Sequence, residues 1–367
     1  SNPHARDAQT NALDNRHDMT KTNTGNFFED FRLGQTIRHA TPRTVTAGDQ
    51  ALYTALYGSR FVVPSSDAFA RALGYRTAPV DDLLAFHIVF GKTVPDISLN
   101  AVANLGYADG RFLAPVYPGD TLSTASEVIG LKETSSGKTG IVYVRSTGTN
   151  QRGETVMSYV RWVMVRKRDE GAPAPDPVTP DLPEAVAAAD LVPPAGLDLA
   201  AYDLDAAGSP HLWDDYAVGE KIDHIDGMTV EEAEHQIATR LYQNTAKVHF
   251  NQHVEGQGRF GRRLVYGGHA ISTARALSFN GLANAFAIGG INAGAHANPV
   301  FAGVTLYAWS EVLDKADTSA PGIGALRVRT VATKDRACAD FPFKGGDGKY
   351  DPAVVLDLDY WVFMPKR

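Results

Sequence analysis

The chain repeats itself, and this repetition constrains its fold more than any other feature. The segment FFEDFRLGQTI (27–37) returns 185 residues later as LWDDYAVGEKI (212–222). Further along, PVYPGDTL (115–122) returns as PVFAGVTL (299–306). Similarity at one nearly constant offset over most of a chain indicates two copies of a single structural unit.

The predicted elements of each copy follow the same order, a short strand, a helical stretch, a loop, a second apolar helix and several strands. The second helix is predicted to begin near Val80 in the first copy and near Gly268 in the second. Runs rich in β-branched and aromatic residues predict antiparallel strands, namely TGIVYVRST, SYVRWVMVRK, GALRVRTV and VVLDLDYWVFM. We therefore expect an α+β protein in which each copy packs one long helix against a curved antiparallel sheet. The two sheets are expected to join, so that the copies form an internal dimer.

Composition sets the predicted domain boundaries. Residues 170–208 begin EGAPAPDPVTPDLPEAVAAADLVPPAG, which is rich in Pro, Ala and acidic residues and typical of a linker without packed elements. We predict domains at 25–169 and 209–367, called here the first copy and the second copy. Residues 1–24 are polar, lack the apolar core of a secretion signal and are predicted to be a disordered leader.

The overall composition excludes several classes of protein. No run approaches the ~18 apolar residues of a membrane-spanning helix, and the net charge of -7 argues against a general nucleic-acid surface. The single cysteine, Cys338, permits neither an intramolecular disulfide nor a zinc site built from several cysteines, and it is expected to be a buried or incidental thiol. We predict a cytoplasmic protein that binds neither nucleic acid nor membrane.

The second copy carries a polar pattern that the first copy lacks. Asn244 and His249 lie five positions apart in NTAKVHF, and Gly267-Gly268 then opens an apolar helix. Glycines at a helix start allow a ligand carbonyl to approach backbone N–H groups at the positive end of the helix dipole. This combination predicts a catalytic site with His249 at its centre.

At the offset of 185, the first copy has Ser59 and Pro64 in place of the amide and the imidazole. Its helix start is aligned as Pro79-Val80-Asp81, followed by Asp82. Carboxylates here would cap the helix and repel a developing oxyanion, so the first copy is interpreted as structural. Assistance to His249 from Asp81 or Asp82 is the alternative, and helix capping is the favoured interpretation.

The remaining candidates are weaker. Four further histidines could line a pocket, but none has the spacing of a zinc-binding helix, and no G-x-S-x-G sequence indicates a serine hydrolase. These histidines are His235, His253, His269 and His296.

With these residues in view, the chain resembles the MaoC-like hot-dog hydratases. The polar residue five positions before His, the glycine-started helix and the P-V-x-x-G-x-T-L sequence carry the resemblance, which extends from about residue 25 to the end. It implies a tandem, or double, hot-dog fold, reversible syn hydration of an enoyl-CoA thioester, no metal or redox cofactor, and a homodimer. Longer stretches, such as RLYQNTAKVHFN and GRRLVYGGHAIS, are most similar to the branch that acts on mesaconyl-CoA.

The resemblance also implies roles for individual residues. In the family an Asp and a His together activate water, and these roles fall on Asn244 and His249; an amide cannot take a proton, so His249 is expected to act as the base. Backbone N–H groups of Gly267 or Gly268 are expected to hold the thioester oxygen. Three cations, which are Lys247, Arg262 and Arg263, are expected to bind either the substrate carboxylate or the CoA phosphates.

Two other functions fit a hot-dog protein. An acyl-CoA thioesterase would release free thiol, whereas a non-catalytic acyl-CoA-binding protein would change neither the acyl group nor the thioester. The polar set confined to one copy argues against the binding protein, because binding alone requires no base beside an oxyanion site.

Overall fold

A computed structural model describes residues 20–367, so the first nineteen residues of the predicted leader lie outside the described part of the chain. The elements of the first copy are β1 (Thr36–Arg38), β2 (Arg43–Thr44), α1 (Ala47–Tyr57), α2 (Val62–Ser65), α3 (Asp67–Leu73), α4 (Asp82–Thr93), β3 (Ala101–Phe112), β4 (Thr121–Glu133), β5 (Thr139–Thr149) and β6 (Thr155–Arg166). The elements that follow are α5 (Leu204–Ala207), β7 (Lys221–Thr229), α6 (Glu232–Leu241), α7 (Gln252–Glu255), α8 (Gly267–Leu277), α9 (Phe279–Leu282), β8 (Ala287–Ala295), β9 (Thr305–Asp317), β10 (Ile323–Lys334) and β11 (Val354–Pro365). None of the helices within residues 20–367 has the length and apolar character needed to cross a bilayer.

The strands form one antiparallel sheet of eleven strands. Its order is β1-β4-β5-β6-β3-β8-β11-β10-β9-β7, with β2 attached to β4. The first five positions come from the first copy, and the last five mirror them in the second. Strands β3 and β8 join the two halves through pairs such as Ala108 with Ala293 and Gly110 with Ile291. The expected continuous sheet is confirmed.

Helix α4 is apolar on every side, as a helix surrounded by protein must be. Each residue from Leu83 to Thr93 is buried. The sheet lies on one side of the helix, while α8 and the Tyr242–Asn244 backbone of the second copy lie on the other. Its first turn is capped by the Asp81 carboxylate, which accepts a hydrogen bond from the Leu83 N–H at 2.9 Å. The first copy thus places the end of its helix against the second copy.

A pseudo-twofold axis relates the copies. The hydroxyls of Tyr57 and Tyr242, 185 positions apart, lie 2.8 Å from each other across it. His87 Nε2 lies 2.9 Å from Ser272 Oγ, and these residues are also 185 positions apart. The duplication inferred from the sequence is therefore visible as symmetric contacts in the core.

One histidine position is retained in both copies. His39 Nε2 lies 2.7 Å from Ser126 Oγ, and His224 Nε2 lies 2.7 Å from Ser310 Oγ. Both side chains are buried. Because the same contact occurs in both copies, we assign these histidines to the support of the sheet.

The segment between the copies packs against the sheet, and the expectation that it forms no packed element was wrong. The Val186 N–H donates to Asn292 Oδ1 at 2.8 Å, and Trp361 Nε1 donates to the Val186 carbonyl at 3.0 Å. Leu191 and Tyr202 are buried there as well. Its few apolar residues suffice to anchor a proline-rich chain because the anchors also satisfy buried polar groups.

Candidate active site

The helix starts of the two copies are equivalent at an offset of 185. The alignment of Pro79-Val80-Asp81 with Tyr266-Gly267-Gly268, which the sequence suggested, is wrong by two residues. Val80 N–H donates to the Val116 carbonyl, and Val265 N–H donates to the Val300 carbonyl, so these valines occupy the same position. Helix α4 begins at Asp82, and α8 begins at Gly267. Asp81 is therefore equivalent to Tyr266, and Asp82 to Gly267. The local turn sequences suggested a different register, which the backbone hydrogen bonds correct.

The first turn of α8 has two free donors. The Tyr266 side chain makes no capping hydrogen bond, and His269 N–H donates to the Tyr266 carbonyl at 2.9 Å. Within residues 20–367, no group accepts a hydrogen bond from the N–H of Gly267 or of Gly268. Unpaired N–H groups at a helix start attract negative charge. This turn can therefore hold an anionic oxygen.

Side chains crowd both glycines. A Cβ on Gly267 would lie 2.5 Å from Cε1 of His296, and a Cβ on Gly268 would lie 2.3 Å from Cε1 of Tyr266 and 2.5 Å from Cε1 of His87. Any larger residue at either position would displace these rings. The glycines are thus required by close packing at the helix start, in addition to the access that the sequence suggested.

His249 ends a short 3₁₀ turn and is buried. Its Nδ1 lies 2.7 Å from the Leu264 carbonyl, an acceptor, so Nδ1 carries the proton and Nε2 keeps its lone pair. Burial lowers the pKa of His249 to about 4, against the opposing effect of the hydrogen bond to Leu264. The ring lies 5.7 Å from that of Tyr266, which directly precedes Gly267. At neutral pH, His249 is an uncharged imidazole available as a base.

Asn244 lies at an open cavity of about 580 Å³ between the copies. Its Oδ1 accepts a hydrogen bond from Ala246 N–H at 3.0 Å, which leaves the amide NH₂ as a donor without a partner among the described residues. Lys92, Arg240 and Phe250 also line the cavity. The structure therefore presents Asn244 as a hydrogen-bond donor.

His296 is the site residue whose position the sequence did not reveal. It follows β8, its ring covers Gly267, and its Nε2 lies 3.0 Å from the Tyr107 hydroxyl of the first copy. Burial lowers the pKa of His296 to about 4, so this ring is also neutral at pH 7. Its place between a glycine of one copy and a tyrosine of the other becomes apparent only once the sheet is assembled.

The other predicted histidines divide between core and surface. His269 is buried with Nδ1 2.9 Å from the Tyr57 hydroxyl, and His235 is buried with Nε2 2.8 Å from a Glu232 carboxylate oxygen. His253 is exposed on α7. Within residues 20–367, no group of three or more His, Cys, Asp and Glu side chains is arranged to hold a metal ion.

The three predicted cations lie at the outer side of this region. Lys247 and Arg262 are exposed, and Arg262 donates to the Ala302 carbonyl at 2.7 Å. Arg263 is partly buried and forms an ion pair of 2.9 Å with Glu232. The structure thus places all three near the His249 loop but toward solvent.

At the equivalent helix start of the first copy, a carboxylate side chain and a proline occupy the positions of the glycine and histidine. Asp81 caps α4, Asp82 Oδ2 accepts from Ile288 N–H at 2.8 Å, and Pro64 stands where the second copy has His249. The cavity here measures about 40 Å³, and Arg275 is among its lining residues. Burial raises the pKa of Asp82 to about 7. Pro64 thus replaces the imidazole, and the Leu83 N–H, which is equivalent to the Gly268 N–H, is paired with the Asp81 carboxylate.

Comparison with known proteins agrees with the fold. The family described as Mesaconyl-CoA hydratase matches residues 5–341. A beta-methylmalyl-CoA dehydratase of Chloroflexus aurantiacus is 69% identical over 350 residues, which cover 95% of this chain and 99% of the relative.

Two solved structures extend the comparison. A MaoC domain protein dehydratase from Chloroflexus aurantiacus superposes with a TM-score of 0.93 at 68% identity, covering 95% of this chain and 99% of the other. A Mycobacterium tuberculosis protein with a double hotdog fold superposes with a TM-score of 0.70 at 26% identity, covering 92% and 98%. The predicted α+β double hot-dog fold is confirmed, and the chain belongs to the MaoC-like family of mesaconyl-CoA hydratases.

Proposed function

We propose that the protein is a hydro-lyase that catalyses the reversible hydration of mesaconyl-CoA to (2R,3S)-β-methylmalyl-CoA. Membership in the family supports the reaction class. The observation that carries the proposal is a neutral, buried His249 beside a helix start with two unpaired N–H groups. A base and an oxyanion site are the two elements that addition of water to an unsaturated thioester requires.

The proton chemistry is assigned to His249. Nε2 takes a proton from water as the hydroxyl adds to the β-carbon, and the resulting imidazolium returns that proton to the α-carbon on the same face. One base that serves both steps produces syn addition. The hydrogen bond from Nδ1 to the Leu264 carbonyl holds the ring in the required tautomer.

The N–H groups of Gly267 and Gly268 are assigned the role of stabilising the negative charge that develops on the thioester oxygen. Donors of this kind contribute roughly 3 kcal/mol each to transition-state stabilisation. The neutral ring of His296 lies over the same turn and restricts the space in which the oxygen can sit.

The charge of the proposed substrate explains why position 244 has an amide and not a carboxylate. Mesaconyl-CoA carries a carboxylate on the carbon that receives the hydroxyl, and a second carboxylate at position 244 would repel it. An amide whose NH₂ faces the cavity can orient the water and tolerate the substrate charge. This accounts for the departure from the family's usual Asp.

The exposed cations are suited to bind the CoA end of the substrate. Lys247 and Arg262 are exposed to solvent, where the phosphates of CoA would remain hydrated, and Arg263 is partly buried. We further propose that the chain acts as a cytoplasmic homodimer and that the reaction uses no metal or redox cofactor.

The test is to mix purified protein with mesaconyl-CoA, without added metal, and to follow enoyl-thioester absorbance and free thiol together. Loss of absorbance without thiol is the expected result. Release of thiol would assign the protein to the thioesterases. No change in either signal would contradict the proposed substrate and leave the acyl-CoA-binding function.

A further inference from the structure

A buried arginine of the first copy lacks a counter-charge. Arg161, on β6, is 1% exposed, yet none of the carboxylates within residues 20–367 forms an ion pair with it. Its Nη2 donates to Thr93 Oγ1 at 2.8 Å and to Ser98 Oγ at 3.1 Å, whereas Nε is buried without a partner. Buried charges are ordinarily paired, because an isolated ion in the interior is strongly unfavourable.

The surroundings of Arg161 supply further donors but no anion. Tyr159 lies two residues earlier on β6 and therefore faces the same side of the sheet. Its buried hydroxyl lies near the Ser146 and Thr93 hydroxyls but makes no hydrogen bond of ordinary geometry. Tyr107 lies directly opposite Arg161 on the neighbouring strand β3. The guanidinium stacks 4.2 Å from the centre of the Phe90 ring. The negative end of α4 at Thr93 compensates only part of a full positive charge.

The helix end that holds Arg161 also holds the Asn244 segment. Thr93, the acceptor for Arg161, is the last residue of α4. Two positions earlier, a Cβ on Gly91 would lie 2.2 Å from the Tyr242 carbonyl oxygen and 3.3 Å from the Asn244 N atom, so the two backbones are in close contact. Gly91 and Thr93 are two positions apart and face opposite sides of α4, so Arg161 and the Asn244 segment pack against opposite sides of the same helix end.

Two further chains of contact join Arg161 to the second copy. Phe90 packs against both Arg161 and Tyr266, with its ring centre 5.7 Å from that of Tyr266, which in turn contacts His249. Tyr107, opposite Arg161, reaches His296 over the Gly267 turn. Arg161 is thus linked to His249 and to His296 through one or two side chains.

We infer that Arg161, together with the Tyr159 hydroxyl, binds the free carboxylate of the substrate's acyl group and selects acyl-CoA thioesters of dicarboxylic acids. The inference rests on the proposed function and specifies the substrate class of the same site. Guanidinium groups bind carboxylates through charge-assisted hydrogen bonds, and the unpaired Nε of Arg161 can supply one, whereas Nη2 already donates to Thr93 and Ser98. Because β6 belongs to the first copy, the copy without the base would determine specificity.

The test uses two saturated thioesters that cannot be hydrated, methylsuccinyl-CoA, which carries a carboxylate, and 2-methylbutyryl-CoA, which does not. Calorimetry on the full chain is expected to show that the wild-type protein binds methylsuccinyl-CoA about 100-fold more tightly, as for a desolvated charge pair. Arg161→Gln should abolish this preference. Arg166→Gln, an exposed arginine of the same strand, should retain it.

Tyr159→Phe provides a second variant that removes only a hydroxyl, and about a tenfold loss of the preference is expected. Absence of preference in the wild-type protein, or an unchanged preference in Arg161→Gln or Tyr159→Phe, would overturn the inference. Because the thioesters need no turnover, the measurement is independent of the proposed reaction. If the wild-type protein does not hydrate mesaconyl-CoA, but its preference for methylsuccinyl-CoA is lost in Arg161→Gln, only the proposed function is contradicted.

Discussion

The first copy begins its central helix with two carboxylates, and the second begins the equivalent helix with a tyrosine and a glycine. In the first, Asp81 accepts from a helix N–H, and Asp82 accepts from the backbone of the neighbouring copy. In the second, the corresponding helix donors remain unpaired beside His249 and His296. The same fold thus pairs the Leu83 N–H of its helix start internally in one copy and leaves the equivalent Gly268 N–H available for a ligand in the other.

This contrast shows that, in a duplicated fold, one copy can meet the requirements of stability while the other meets those of catalysis. Paired buried polar groups stabilise a fold, whereas unpaired ones are retained where a ligand completes them. The histidines that occur in both copies, His39 and His224, make the same contact with the sheet. The imidazole that occurs only in the second copy, His249, is the candidate base. The following changes test this division.

The largest effect is expected from His249→Ala. Loss of the base should lower kcat for hydration of mesaconyl-CoA by about 10³-fold, within the usual contribution of general base catalysis. Pro64→Ala, the equivalent position of the first copy, is the matched control and should retain the wild-type rate. Equal losses in the two variants, measured by enoyl-thioester absorbance, would contradict the assignment of chemistry to the second copy.

Gly267→Ala should have the next largest effect. The added Cβ would lie 2.5 Å from the His296 ring and displace either that ring or the helix N–H. A loss of about 100-fold in kcat is expected, as for removal of one oxyanion donor. Asp82→Ala changes the equivalent residue of the first copy and should have a small effect on kcat. Full activity of Gly267→Ala would show that this turn does not contact the substrate.

Asn244→Asp should distinguish substrates. A carboxylate beside the substrate carboxylate is expected to lower kcat/KM for mesaconyl-CoA about tenfold, which corresponds to about 1.4 kcal/mol. Crotonyl-CoA, which lacks the charge, should lose less. If Asn244→Asp accelerates both reactions equally, the explanation from substrate charge is wrong.

The last prediction concerns stability and not rate, and it is made for the first copy. Because the pKa of Asp82 is raised to about 7 from its ordinary 3.8, the folded state binds this proton more tightly than the unfolded state. Its contribution to stability therefore falls as pH rises from about 4 through 7. Asp82→Asn keeps an acceptor for Ile288 N–H and removes the titration, so it should stabilise the protein by roughly 4 kcal/mol at pH 8 and by much less at pH 4.

Denaturant unfolding at pH 4 and pH 8 measures this difference, with the exposed Asp181→Asn as the control. A stability difference independent of pH would show that Asp82 does not titrate in this range.

Much of the architecture could be predicted from the sequence because it repeats. Alternating and aromatic-rich runs predicted β5, β6, β10 and β11, and the duplication predicted the joined sheet. The helix register was missed by two residues, because local turn sequences do not reveal the pairing of Val80 with Val116 or of Val265 with Val300. Packing of the proline-rich segment was also missed, since composition carries no information on its few anchoring contacts.

The candidate site was only partly predictable. Asn244, His249 and the glycines are close in sequence and differ between the copies, so a comparison within the chain finds them. Arg161 gives no such signal, because an arginine in a strand ordinarily faces solvent. Its unpaired, buried state and its link to His296 through Tyr107 arise from contacts between segments that are distant in sequence.

The pH dependence of kcat/KM with mesaconyl-CoA, between pH 4 and pH 9, tests most directly whether the chemistry belongs to the second copy. Because the pKa of His249 is lowered to about 4, kcat/KM is expected to stay constant as the pH falls to about 5. A decline centred near pH 7 that disappears in Asp82→Asn would show that a carboxylate of the first copy takes part in catalysis, and would contradict the account.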